Sequence, residues 1–234
     1  MGRTDGKWTV FAHRGASGTE PENTLLAFRR ALEAGARWVE LDVQNVCGRL
    51  VVFHDTRLER TTNGRGRLGD RSVEDLRSLD AGKGEKIPFL SEVLEWLDGR
   101  AGVNVELKGP GTAALTSQIL NGCIKNGGWR AEQFIVSSFL RYELAVFRRL
   151  APDIRIGFLY VGLSVFFPRG FVEKLSPYSV HLSKKSASPV LVRNIRAKGM
   201  NVFVYTVNDI ADADRLAAMG VDGIFTDFPE RFSA

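Results

Sequence analysis

The feature that most limits how this chain can fold is an alternation. Short runs rich in β-branched and aromatic residues recur eight times, with longer stretches of helical spacing between them. The strand-like runs are Trp8–His13, Trp38–Val43, Val103–Lys108, Phe134–Phe139, Ile154–Tyr160, Ser179–Leu182, Val202–Val207 and Gly223–Thr226. Amphipathic segments lie between them, among them Asn23–Ala34, Thr112–Asn126, Arg141–Leu150, Pro189–Lys198 and Asp209–Ala218. Gly35, Gly199 and Gly220 follow such segments, where a left-handed C-cap closes a helix. Strands separated by helices pair in parallel, and eight of them in 234 residues predict an α/β fold, a closed (β/α)8 TIM barrel. Residues 1–234 are read as one domain.

One region breaks the rhythm. After Val43 comes an extra apolar run, Leu50-Val51-Val52-Phe53, then a polar, Gly-rich stretch to Lys86 with a short helical candidate at Ser72–Leu79; a further helix is placed near Ser91–Asp98. This excursion, about 45–90, reads as a small insertion after the second strand, on the face where barrel loops carry function.

Lys and Arg number 32 against 27 Asp and Glu, a net charge of +5. The basic residues are scattered rather than blocked, so the charge predicts a solvated surface with mild steering of an anionic substrate, and no nucleic-acid partner. The longest apolar candidate, Gly157 to Phe167, is about half the roughly 18 residues of a membrane span. Met1 to Lys7 is polar, without the apolar core of an export signal. Cys47 and Cys123 form no metal or disulfide pattern. A cytoplasmic protein without a transmembrane segment is expected.

Function in such a barrel gathers at the C-terminal strand ends. The first strand runs into His13-Arg14-Gly15, a proton shuttle beside a bidentate anion clamp. In Val39-Glu40-Leu41-Asp42-Val43 the two carboxylates share one face and the apolar residues the other. The third strand repeats the device with Glu106 and Lys108. Inward carboxylates on adjacent strands repel, and a divalent cation relieves them; oxygen-only donors indicate Mg²⁺ or Ca²⁺. The extra apolar run ends in His54-Asp55. Two of the chain's three histidines thus flank the acidic strands, as acid–base cleavage of a phosphodiester requires. The third, His181, shares a face with Ser179 and Ser183 and is left between a mouth-lining and a packed position.

These residues resemble the glycerophosphodiester phosphodiesterase family. The resemblance is carried by His13-Arg14-Gly15, Pro21-Glu22-Asn23-Thr24 with Ala27-Phe28, Gly35-Ala36, Glu40-Leu41-Asp42-Val43, His54-Asp55, Arg60-Thr61-Thr62, Glu106-Leu107-Lys108, Ser138-Phe139, Thr206-Val207-Asn208, Gly220-Val221-Asp222-Gly223 and Thr226-Asp227. It implies a metal-dependent barrel hydrolase that releases glycerol 3-phosphate and an alcohol from a small phosphodiester. It makes His13 and His54 the acid–base pair, Glu40, Asp42 and Glu106 the metal ligands, and Arg14 and Lys108 the phosphate contacts. The family's small insertion after its second strand matches the excursion.

Three departures stand out. Asn45-Val46-Cys47-Gly48 replaces the family's usual Thr-x-Asp-Gly turn and reads as another hairpin turn. Tyr205 stands where the family usually has Trp, keeping an aromatic platform for substrate. Val165-Phe166-Phe167-Pro168 with Phe171 is apolar for a loop after the fifth barrel strand, either buried packing or a hydrophobic lip at Phe166–Phe171 for lipid or a subunit. The attacking group is left open between water and the glycerol 2-hydroxyl, the latter giving a cyclic phosphate. The competing readings are a lysophospholipase D acting on lysophospholipids, a binding module without catalysis, and a nucleic-acid binder.

Overall fold

A computed structural model describes residues 8–162 and 168–232. Eight parallel strands close on themselves: β1 (Thr9–His13), β2 (Trp38–Val46), β4 (Gly102–Leu107), β5 (Phe134–Ser138), β6 (Arg155–Tyr160), β7 (Ser179–Ser183), β8 (Asn201–Tyr205) and β9 (Gly223–Thr226), with β1 seated between β2 and β9. The remaining strand among the described residues, β3 (Arg49–Val52), pairs antiparallel with the far end of β2. The helices are α1 (Leu25–Glu33), α2 (Val73–Ser78), α3 (Leu90–Leu97), α4 (Thr112–Lys125), α5 (Arg141–Leu150), α6 (Arg169–Leu175), α7 (Pro189–Arg196) and α8 (Ile210–Ala218).

Alternation along each strand divides the core in two. Val39, Leu41 and Val43 of β2, with Val103, Val105 and Leu107 of β4, face outward and pack under the helices in the large core cluster. The opposite faces fill the barrel. Phe11, Ile135, Phe203 and Phe225 form an inner plug, with Phe11 stacked on Phe225 at 4.5 Å and edge-on to Phe203 at 5.0 Å between ring centroids. The barrel is therefore solid below its mouth, as inward layers of side chains require.

Helix starts follow local chemistry. Thr24, Ser72, Ser188 and Asp209 each accept a backbone N–H of the first turn, removing an otherwise unpaired donor. Gly35, Gly199 and Gly220 all take positive φ, as their positions after helical segments suggest.

The excursion is ordered by a core of its own. Val46 is followed by Cys47 and Gly48, both at positive φ, a two-residue turn that reverses the chain into β3. Val46, Val51, Phe53, Leu58, Leu68, Leu76, Ala81 and Ile87 then bury one another outside the barrel wall. Strand β2 is longer than its apolar alternation suggests, because its outer end pairs with β3 rather than with the barrel.

The segment after β6 corrects the reading of a loop. Residues from Arg169 form helix α6, and Phe171 within it is half-buried, packing edge-on against Phe158 at 5.5 Å. That part of the supposed lip is packing. Val165, Phe166 and Phe167 lie outside the described residues. Among the described residues no helix is long and apolar enough to cross a membrane.

Candidate active site

Strand β1 delivers His13 to the barrel mouth, and the chain then turns sharply through Arg14 and Gly15, at φ 57° and 81°. The turn needs glycine for space as well, since a Cβ on Gly15 would stand 2.6 Å from the Ala27 carbonyl carbon. It aims the Arg14 backbone N–H at Glu40 Oε2 (2.9 Å). The Arg14 guanidinium lies 3.2 Å from Asp42 Oδ2 through Nε and 2.9 Å from Glu22 Oε1 through Nη1.

The parallel register sets Glu40 beside Asn104 and Asp42 beside Glu106. Glu40, Asp42 and Glu106 are buried, and each offers an oxygen within 4.8 Å of the others. Lys108 donates to Glu106 at 2.8 Å and stands 3.6 Å from Asp42 Oδ1. Two cations thus face three carboxylates, and the shortage shows in their titration. Burial, then the charges of Asp42 and Glu106, push Glu40 well above the carboxylate range. Burial and Asp42 raise Glu106 to about 7. Burial also works against ionised Asp42, but Arg14 and Lys108 outweigh it and hold Asp42 low. Asp42 Oδ1 remains buried without a hydrogen-bond partner. An oxygen-only donor set with a spare buried lone pair and excess negative charge fits a hard divalent cation.

The two catalytic candidates carry the same arrangement. His13 Nδ1 lies 2.7 Å from Asp227 Oδ1, and His54 Nδ1 2.6 Å from Asp55 Oδ1. An ionised carboxylate only accepts, so in each neutral ring Nδ1 carries the hydrogen and Nε2 keeps its lone pair. Asp227 also accepts from Ser17 Oγ (3.0 Å) and Asn208 Nδ2 (2.7 Å). Burial opposes its ionisation, yet the hydrogen bonds, led by His13, hold it at about 2. Asp55 is lowered chiefly by Arg60, whose Nε and Nη2 reach it at 2.6 and 3.0 Å. His54 is lowered, by burial first and by the Arg14 and Lys108 charges, against the opposing pull of Asp42 and Asp55.

His13, Arg14, Glu40, His54, Glu106 and Lys108 line a cavity of about 220 Å³. Its other wall is apolar: Leu159, Phe139 and Tyr205, the last two perpendicular with centroids 6.3 Å apart. Burial pushes the Tyr205 phenol up, and its hydroxyl has no partner. The sequence-derived site residues therefore converge on one cavity, with Asp42 immediately behind it. A wider concavity of about 660 Å³ between α7 and α8 is lined by Arg193, Arg196 and Arg215 and has neither carboxylate nor imidazole.

His181 lies fully buried inside the barrel at the floor of the cavity, its Nε2 2.9 Å from Ser179 Oγ. Gly157 makes its room; a Cβ there would stand 2.5 Å from His181 Nε2. Burial pulls its pKa down to about 3, so it is neutral at ordinary pH. Asp227, Asp55, Glu22, Arg60 and Asn23, the last donating to Asp42 Oδ2 at 3.0 Å, had no role assigned from sequence although all stand in the motifs quoted above. The adjacency of His54 and Asp55 was the one readable sign; the others required knowing which loops meet.

The model of the glycerophosphoryl diester phosphodiesterase family matches residues 13–231. A glycerophosphodiester phosphodiesterase of Caldanaerobacter subterraneus subsp. tengcongensis is 40% identical over 238 residues, covering 96% of each chain. Human glycerophosphodiester phosphodiesterase 1 is 40% identical over 86% of this chain and 72% of its own. Among solved structures, an Oleispira antarctica phosphodiesterase in complex with the product sn-glycerol-3-phosphate superposes with a TM-score of 0.87 at 32% identity, covering 96% of this chain and 94% of that one. A glycerophosphodiester phosphodiesterase from Agrobacterium tumefaciens gives 0.79 at 30% identity over 97% and 99%. A closed barrel, a mouth that gathers imidazoles, carboxylates and cations, and a match across nearly the whole length place this chain in the glycerophosphoryl diester phosphodiesterase family of enzymes.

Proposed function

We propose that this chain hydrolyses glycerophosphodiesters to glycerol 3-phosphate and an alcohol, and that residues 1–234 act as one barrel domain whose excursion supplies His54. The observation that carries the reading is the facing of two carboxylate-oriented imidazoles onto one cavity that also holds Glu40, Glu106, Arg14 and Lys108.

Glu40, Asp42 and Glu106 would hold a divalent cation, Mg²⁺ or Ca²⁺, which when bound supplies Lewis-acid polarisation of a phosphoryl oxygen. Arg14 and Lys108 bind the other phosphate oxygens and stabilise charge as it develops there. His13 Nε2 takes the proton from the glycerol 2-hydroxyl as that oxygen attacks phosphorus. His54, protonated, gives its proton to the departing alcohol, and water then opens the cyclic phosphate. In the free protein burial and the neighbouring cations disfavour protonated His54; the arriving phosphodiester anion shifts that balance toward the acid form. Tyr205 and Phe139 shield the glycerol side from water.

The test is release of glycerol 3-phosphate from glycerophosphocholine and glycerophosphoethanolamine, with EDTA or with added Mg²⁺ or Ca²⁺, by wild type and His13→Ala. Metal-dependent release that falls by about 10²- to 10⁴-fold in the variant is expected. Cleavage of a lysophospholipid with neither diester touched would replace this substrate with a lipid one, and silence on all three would overturn the enzyme reading.

A further inference from the structure

Arg60 lies in the excursion, half-exposed, 38 residues from Glu22 and five from Asp55. Its guanidinium makes two forks. One reaches Asp55 through Nε to Oδ2 (2.6 Å) and Nη2 to Oδ1 (3.0 Å). The other reaches Glu22 through Nη1 to Oε2 (2.6 Å) and Nη2 to Oε1 (2.8 Å). Beyond each fork stands a residue of the reaction: Asp55 holds His54 Nδ1, and Glu22 holds Arg14 Nη1. The chain His54–Asp55–Arg60–Glu22–Arg14 therefore runs unbroken from the excursion to the loop after β1.

We infer that Arg60 is a positioning residue that sets the imidazole of His54 against the phosphate-binding guanidinium of Arg14; the inference rests on the acid–base reading proposed above. His54 needs such a device more than His13 does. His13 ends a barrel strand, whereas His54 follows β3 on a segment packed outside the wall. Only a planar group with donors on two edges can take two carboxylates in-plane at once, so the geometry calls for Arg and not merely for a positive charge.

A purely structural ion pair this exposed contributes little to stability, so Arg60→Gln is expected to melt within about 4 °C of wild type. Its effect belongs on the reaction, because a small misplacement of a catalytic group is costly: about 10- to 100-fold in kcat on glycerophosphocholine. The discriminating measurement is the rate ratio between a glycerophosphodiester with an activated aryl leaving group and glycerophosphocholine. Arg60→Gln is expected to shift that ratio in the same direction as His54→Ala and away from His13→Ala. Arg60→Lys keeps the charge but not the forks, and should recover little of the loss. An unchanged ratio in Arg60→Gln while the His54 variant shifts, or full recovery by lysine, overturns the positioning role alone. A ratio that moves in neither histidine variant overturns the acid–base reading beneath it.

Discussion

The mouth of this barrel holds two copies of one device, a carboxylate gripping an imidazole through Nδ1, built in opposite ways. His13 and Asp227 are separated by 214 residues and meet because β1 and β9 are neighbours in the closed barrel. Asp227 is steadied by neutral donors, Ser17 and Asn208, and Asn208 is itself tied back to the Asp227 backbone N–H at 2.9 Å and to Thr226 Oγ1 at 3.1 Å. His54 and Asp55 are adjacent in sequence, sit on the excursion, and are steadied by the charge of half-exposed Arg60. One pair is held by topology and the other by an ion pair. The first should be the more sensitive to hydrogen-bond polarity, the second the more sensitive to salt.

The largest effect that can separate them is replacement of each carboxylate by its amide. His13 and Asn208 donate to opposite oxygens of Asp227, so an amide at that position must point its own N–H₂ at a donor whichever way it turns. It also removes the charge that selects the Nδ1–H tautomer. Asp227→Asn is expected to lower kcat by about 10³- to 10⁴-fold, the upper end being the scale seen when the orienting acid of a catalytic histidine is amidated. Asp55→Asn meets a softer environment, because Arg60 can swing toward water and keep its fork on Glu22. A loss of about 10- to 100-fold is expected there. Steady-state kinetics on glycerophosphocholine decides it; equal losses, or a larger one at Asp55, would show that the two pairs are not held differently.

This contrast also separates what could be read from the amino-acid sequence from what could not. The barrel was legible because Val39-Glu40-Leu41-Asp42-Val43 and its counterparts alternate strictly, and the same alternation turned Glu40, Asp42 and Glu106 inward. His54-Asp55 was legible because its two members are neighbours in the chain. Asp227 stands in a motif without a legible role, since closure of the barrel sets the last strand beside the first but no local pattern says which side chains meet beyond their ends. Arg60 was equally silent: a polar residue in a Gly-rich stretch acquires meaning only once Leu58, Leu68 and Leu76 fold the excursion around their own core. Helix α6 escaped for a different reason. At seven residues it is too short for a helical period to stand out, and Gly170 sits in its first turn.

A smaller effect tests the same difference through acid stability. A carboxylate whose pKa is lowered by folding stabilises the protein above its unfolded pKa of about 4, and the stabilisation disappears as pH falls through the folded value. For Asp227 the window runs from about 4 down to about 2. Allowing for partial exposure, its pH-dependent contribution is roughly 1–2 kcal/mol. That of Asp55, whose charged partner Arg60 is half-exposed and screened by water, should be below about 1 kcal/mol. Urea unfolding of wild type and each amide variant at several pH values from 7 to 2 gives the comparison as a difference that narrows with acid. His181, neutral when buried and protonated when unfolded, adds a slope of the same sign between about 6.5 and 3. It is present in all three proteins and cancels in the difference. A larger narrowing for Asp55 than for Asp227 would reverse the ranking of the two anchors.

The smallest effect isolates the charge itself. Screening shortens from about 10 Å at 0.1 M salt to about 3 Å at 1 M, and an ion pair on a half-exposed guanidinium is the kind that it weakens. Salt will also act on substrate binding, so the informative quantity is a ratio of two proteins in the same buffer. The kcat ratio of wild type to Arg60→Gln should shrink by about two- to threefold between 0.1 and 1 M NaCl, the factor carried by a surface pair worth a few tenths to one kcal/mol. The ratio of wild type to Asp227→Asn should change less, because the charge lost there is less exposed than that of Arg60 and in direct contact with His13 at 2.7 Å, and its other partners, Ser17 and Asn208, are neutral. If both ratios fell together, the ion pair of Arg60 would not be what distinguishes the His54 side, and the forks on Asp55 and Glu22 would have to act through shape alone.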